Sequence, residues 1–312
     1  MQIIEYPSRE KLNIPKCVMA LGFFDGVHIA HRDLLRIAAE TAAEMGFAFG
    51  VFTFGSGGKI KADTGRLYSD DEKAEMFSEL GADFTIIADF DAISGYTPEA
   101  FVNDILRRDL NCHICVAGFN FRFGRGASAD STMLTRLMRQ SGGDTRICDE
   151  ITLDGLTISA TLIRRLITEG RIEEANLYLG APYYIKGRVL HGRKDGRTIG
   201  FPTVNISIDE GRVVPKYGVY RTAVVIDGKI YSGVSNVGIC PTFGGNETRL
   251  ETHIIDFSGD MYGKELRIYL LGFLREEKRF ESINELKMQI NIDKNTTIRE
   301  NGDIKWQELG LK

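Results

Sequence analysis

The spacing of apolar residues changes once along this chain, near residue 180, and no other feature constrains the fold as strongly. Up to that point short apolar runs alternate with amphipathic segments. Cys17–Phe24, Phe47–Phe54, Asp83–Ala88 and Ile114–Phe119 read as strands. Ala30–Met45 reads as a helix with Leu34, Leu35, Ile37, Ala38 and Ala42 on one side. Ser69 with Glu72 predicts a capping box, and Thr97-Pro98-Glu99 a helix start. Ser128–Gln140 and Ser159–Glu169 read as further helices, the second stopped by Gly170. This alternation predicts an α/β domain with a parallel sheet covered by helices. From Tyr183 onward the chain holds only short β-rich runs, with a hairpin signal at Asp227-Gly228 and a final helix over ESINELKMQINID. That half predicts a β-barrel or sandwich with a terminal helix. The expected division is 1–180 and 181–312, with a helical connector over 159–181.

Composition narrows the class. With 312 residues, two domains are expected, and a net charge of −4 supplies no basic field for nucleic acid. No apolar run approaches a membrane span and no signal peptide is visible, so a cytoplasmic protein is expected. The five cysteines are scattered and do not form a disulfide framework. Cys112 and Cys115, in CHIC, have the spacing of zinc and redox sites, but they lead into an apolar strand and are read as buried.

The segment GFFDGVHIAH, residues 22–31, holds two of the five histidines, His28 and His31, at the end of the first strand and the start of the first helix. Strand carboxyl ends bind ligands in open parallel sheets, and helix N-termini attract anions. Spacing alone leaves a phosphate site, acid/base work, a metal site and an ordinary turn all open.

The same residues resemble the GxFDGVHxGH form of the HxGH nucleotidyltransferase signature found in bacterial bifunctional riboflavin kinase/FAD synthetases. AGFNFRFGRG (117–126) is similar to that family's GxxFRFGxG segment, ISATLIR (158–164) to its IS(S/A)TxIR segment, and GRTIGFPTVN (196–205) to its kinase signature. The resemblance implies a Rossmann-like nucleotidyltransferase domain followed by a riboflavin-kinase antiparallel barrel. It implies His28 and His31 on the ATP phosphates, with Gly22, Phe24, Asp25 and Gly26 shaping their pocket. It also implies Asn120 at FMN, and Ser159, Thr161 and Arg164 at the phosphates. Two departures stand out. Ala30 replaces the glycine of HxGH, and TFGSGGK (53–59) replaces TFxPHP, with Lys59 as a compensating cation.

In the second half the resemblance implies Gly192, Gly196, Gly200 and Pro202 in a phosphate-binding turn. Thr203 and Asn205 become ligands of Mg2+ and ATP. RLETHIIDF (249–257) resembles ETHxLDF, with Glu251 at the base position and Arg275 bordering the flavin. Strand alternation puts Glu251, His253 and Ile255 on one face and Thr252, Ile254 and Asp256 on the other. The implied substrates and products are ATP, riboflavin, FMN and FAD. No macromolecular partner is expected, and the assembly is a monomer or weak homo-oligomer. Three activities are compared: a bifunctional enzyme, a kinase with a weakened adenylyltransferase half, and a flavin-binding regulator without turnover.

Overall fold

The computed structural model describes residues 1–55, 65–153, 155–191, 195–242, 245–302 and 304–305. The chain divides into two compact units, Met1–Ala160 and Thr161–Lys312.

The first unit is built on a six-stranded sheet in the order β1-β4-β3-β2-β5-β6. Its strands are β1 (Gln2–Tyr6), β2 (Cys17–Leu21), β3 (Ala48–Phe54), β4 (Phe84–Ala88), β5 (Cys112–Gly118) and β6 (Asp144–Cys148). Every pairing is parallel. Central β2 is buried along its whole length, which is why it reads as one apolar run. The edge strands β1 and β6 carry charges and half-exposed positions and give no such signal. Helix α1 (Ile29–Met45) ends on Gly46 in the left-handed conformation. Helix α2 (Asp70–Glu79) opens with the expected Ser69/Glu72 capping box. After α3 (Phe90–Ile93), α4 (Pro98–Ala100) starts at the expected Thr97 cap and runs on as a π-helix over Phe101–Asp109. Helix α5 (Ser131–Gln140) begins three residues later than its sequence suggests, because the Asp130 carboxylate accepts the Met133 N–H at 2.9 Å and caps it there. A ribbon of β7 (Thr152–Leu153) and β8 (Leu156–Thr157) follows. From β2 the chain fills one side of the sheet with β3 and β4 and the other with β5 and β6. The strand order therefore reverses between β2 and β5, and the crevice outside the carboxyl ends of those two strands is the favoured ligand position.

The second unit contains nearly all of α6 (Ala160–Glu169), then α7 (Ile172–Leu179), β9 (Tyr184–Arg188), α8 (Asp195–Thr198), β10 (Val204–Ser207), β11 (Gly218–Ile226), β12 (Lys229–Thr242), β13 (Gly245–Ile254), β14 (Glu265–Arg275) and α9 (Ile283–Asn301). The strands form an antiparallel sheet in the order β10-β13-β12-β11-β14-β9. Leu190 N–H donates to Asn205 O at 2.9 Å, a bridge that links the end of β9 back to β10 and nearly closes a barrel. Asp227 and Gly228 both have positive φ, 47° and 74°, as the expected two-residue hairpin turn requires. Inside the barrel a chain of buried hydroxyls joins Thr222 to Ser235 at 2.8 Å and Ser235 to Thr252 at 2.7 Å.

The expected connector helices cluster with the second unit. Asn176 on α7 donates to Leu270 O at 2.9 Å and accepts the Tyr183 N–H at 2.8 Å, tying α7 to the middle of β14 and the start of β9. A fragment cut at 181 loses both bonds and the apolar surface of Ala175 and Tyr178. We expect residues 161–312 to be more stable in urea than residues 181–312 by at least about 3 kcal/mol. Equal midpoints would show that α7 contributes nothing to the barrel.

Candidate active sites

Between β2 and α1 the backbone takes an unusual path. Phe24, Gly26 and Val27 have φ of 48°, 92° and 41°. Positive φ at a β-branched residue is costly, on the order of 1–3 kcal/mol, and such strain concentrates at functional turns. It also ends the first strand at Leu21 rather than Phe24. The turn delivers His28 as the N-cap of α1, where its Nδ1 accepts the His31 N–H at 3.4 Å. The His28 and His31 rings stack with centroids 3.6 Å apart. His28 is buried, and burial pulls its imidazole down to about pKa 4 against the opposing pull of Asp25. With Nδ1 accepting, the neutral ring carries its proton on Nε2. The pair thus sits among the free N–H groups of a helix start, at the reversal point of the sheet.

Neighbouring groups hold this turn. Gly22 is required because Phe24 folds back on it: a Cβ there would lie 2.8 Å from Phe24 Cζ. Phe24 is fully buried and meets His31 edge-on at 5.2 Å, so it supports the histidine and presents no surface to a ligand. Buried Asp25 accepts the Leu67 N–H at 3.2 Å, and Thr53 Oγ1 donates to Phe23 O at 2.9 Å. Asn120 lies exposed just past β5, at the other lip of the crevice. Ser159 immediately precedes α6; Thr161 is exposed and Arg164 buried on that helix. Lys59 and residues 56–58 lie outside the described residues. Cys112 and Cys115 are fully buried with sulfurs 3.4 Å apart, and burial drives the Cys112 thiol far above its ordinary range, which keeps it protonated and inert.

Ala30 is the second residue of α1 and has no positive φ. A glycine there has no backbone conformation to relieve. We expect Ala30→Gly to change FAD formation by less than about twofold and to cost about 0.5–1 kcal/mol of stability. A large gain in FAD formation would show that the methyl obstructs the nucleotide.

In the second unit a cavity of about 610 Å³ opens between the barrel and α9. Thr203, Glu251 and His253 line its barrel side, and Ile283, Leu286 and Ile290 of α9 its apolar side. Thr203 Oγ1 donates to Glu251 Oε1 at 2.6 Å. Asn205 is the direct ladder partner of Glu251. The expected alternation holds through β13, with Thr252 and Ile254 turned inward and Glu251 and His253 outward. It continues to the strand end, where Ile255 packs against Val219 and Val234, which lie on the same face as Glu251 and His253, although Ile255 is buried. His253 Nδ1 lies 2.9 Å from Pro202 O and holds the GFPT turn in place. Gly196 has no room for a side chain, since a Cβ would meet Phe201 O. Gly200 has φ 89°. Gly192 lies outside the described residues. Arg275 borders the cavity, but its guanidinium is engaged by buried Asp293 at 2.8 Å, so it forms part of the wall. Sequence reasoning missed Asn236, Glu277 and Asp293. The only signal was polar residues interrupting apolar runs, GVSNVGI and QINID.

Comparison with known proteins agrees with both halves. A riboflavin kinase family model matches residues 179–300, and an FAD synthetase model matches residues 10–162. The bifunctional riboflavin kinase/FMN adenylyltransferase of Bacillus subtilis is 34% identical over 91% of this chain and 92% of its own. Those of Listeria monocytogenes and Escherichia coli K12 are 37% and 34% identical, each over 90% of this chain and 91% of theirs. A solved structure described as a macrolide-efflux protein from Streptococcus pneumoniae superimposes with a TM-score of 0.84 at 29% identity, over 95% of this chain and 99% of that one. Among the described residues of this chain no helix is long and apolar enough to cross a membrane. Two nucleotide-handling units, one of parallel α/β build and one a barrel, define a two-site transferase. The chain belongs to the family of bifunctional riboflavin kinase/FMN adenylyltransferases.

Proposed function

We propose that this chain phosphorylates riboflavin with ATP in its second unit and adenylylates the resulting FMN with ATP in its first, releasing pyrophosphate. Residues 181–312 serve as the kinase domain and residues 1–180 as the adenylyltransferase domain. The observation that carries the kinase half is Glu251: a carboxylate on a cavity wall, bonded to Thr203 and laddered to Asn205. In the reaction Glu251 takes the proton from the ribityl 5′-hydroxyl. That oxygen attacks the γ-phosphorus of ATP, and the bond to the bridging oxygen breaks to release ADP. Thr203 and Asn205 offer side-chain oxygens, which suits Mg2+. Bound there, Mg2+ would neutralise charge on the phosphates. Gly196, Gly200 and Pro202 shape the turn beside it, and we assign Gly192 to the same turn.

For adenylylation, an FMN phosphate oxygen attacks the α-phosphorus of the second ATP and pyrophosphate departs. His28 donates from Nε2–H to the phosphate charge that builds in the transition state, beside His31 and the α1 N–H groups. Gly22, Phe24, Asp25 and Gly26 hold that turn in shape. Asn120 is assigned to FMN, and Ser159, Thr161 and Arg164 to the ATP phosphates. Only small-molecule substrates are required, and we place the enzyme in the cytoplasm as a monomer or weak homo-oligomer.

Incubation with riboflavin, ATP and Mg2+ should yield FMN first and FAD later on chromatography. FMN that persists with no FAD at long times would favour a kinase with a weakened adenylyltransferase half. Of the two departures behind that second reading, the helical setting of Ala30 weakens one. A flavin-binding regulator without turnover has no use for a base at Glu251.

A further inference from the structure

One rung of the barrel lays out a substrate in order. Ladder partners connect Asn205 on β10 to Glu251 on β13, Glu251 to Asn236 on β12, Asn236 to Val219 on β11, and Val219 to Arg275 on β14. Directly opposed residues project to the same face of a sheet, and neighbouring strands lie about 4.8 Å apart. Four of these five side chains, all but Asn205, line the same cavity. Along the rung come an oxygen donor suited to a metal–phosphate group, the base, a neutral amide, the apolar Val219 and then Arg275, whose guanidinium is engaged by Asp293.

The amide does not stand alone. Asn236 Nδ2 donates to Glu277 Oε1 at 3.0 Å. Glu277 has room there because residue 238 is glycine; a Cβ at Gly238 would lie 2.5 Å from the same oxygen. A carboxylate only accepts, so this bond fixes which way round the amide sits and leaves Asn236 Oδ1 as the acceptor.

We propose that Asn236, oriented by Glu277, reads the secondary hydroxyls of the flavin's polyol chain and so determines specificity for that chain. The inference rests on the kinase reading above. With the terminal hydroxyl at Glu251, one strand spacing along the rung corresponds to roughly four carbons of an extended chain, which places the mid-chain hydroxyls at Asn236. A site built to hydrogen-bond a hydroxyl discriminates against an analogue that lacks it, because the half-buried acceptor, once covered by the bound flavin, is then left unpaired.

The test uses the full-length protein with ATP, Mg2+ and two flavins: riboflavin, and the same ring carrying an unbranched 5-hydroxypentyl chain. The wild type should prefer riboflavin. Asn236→Ala should lower kcat/KM for riboflavin about tenfold, mainly through KM, and leave the hydroxypentyl flavin within about twofold, so that discrimination collapses. Glu277→Ala should lose part of the discrimination, and Glu277→Gln, whose amide oxygen still accepts from Asn236, should regain it. Equal losses on both flavins, or full discrimination in Asn236→Ala, would overturn the assignment. A wild type that phosphorylates neither flavin would instead overturn the kinase reading itself.

Discussion

Glu251→Gln should abolish FMN formation, by on the order of 10²–10⁴-fold, and leave the conversion of supplied FMN to FAD intact. Glutamine keeps the length and shape of the side chain. Its amide oxygen still accepts from Thr203 Oγ1, the bond that joins the two residues at 2.6 Å. The residue is exposed on the cavity wall, so no buried charge is lost from the barrel. What disappears is a group able to take the proton of the attacking hydroxyl. The measurement is a pair of assays on one preparation, riboflavin to FMN and FMN to FAD, each at saturating ATP. An unchanged first rate would remove Glu251 from the role of base. A parallel fall in both rates would indicate a general loss of structure.

The elements with strong periodicity were legible in the sequence, and those held by single polar bonds were not. β2 and α1 follow from their apolar spacing, and the order of β and α segments gave the parallel sheet. The edge strands β1 and β6 were invisible because an edge strand carries charge and exposes half its length. The end of α9 lies beyond the last apolar repeat. The helix continues to Asn301 because that side chain donates to Thr222 O and Ser232 Oγ, both at 3.1 Å. The sites show the same division. His28, Thr203 and Glu251 stood in recognisable segments. Asn236 and Glu277 are 41 positions apart and meet only because β12 and the end of β14 share one cavity. Apolar spacing marks Ile283, Leu286, Ile290 and Ile292 on α9 but not what they face: the first three wall a cavity and Ile292 is 57% exposed. Lys73 on α2 gives no signal of its setting in the sequence. Its ammonium is buried between Asp70, at 2.8 Å, and Phe54 O, at 3.3 Å, a satisfaction that only the fold supplies.

His28→Asn separates the two tasks of this histidine, and it should lower FAD formation by about 10²–10³-fold while the protein remains folded. Asparagine is among the best N-cap residues, so its side-chain oxygen can take over the His31 N–H that His28 Nδ1 accepts. The Nε2–H donor has no counterpart in the shorter side chain, and that donor is the group assigned to the transition state. The same substitution should change how stability depends on pH. The wild-type imidazole titrates near 4 in the folded chain and near 6.5 when unfolded. Between those values the unfolded chain binds the extra proton, so the stability present above pH 6.5 is lost as pH falls through the window to 4. The full loss is about 3 kcal/mol. Protonation also occupies Nδ1 and cancels the helix cap. Thermal melts from pH 7 to pH 4 should show the first unit of the wild type losing stability more steeply than that of His28→Asn. Parallel profiles would mean that His28 titrates in the folded chain as it does in the unfolded one, so that below about pH 6.5 it would meet the phosphates as a cation instead of a neutral donor.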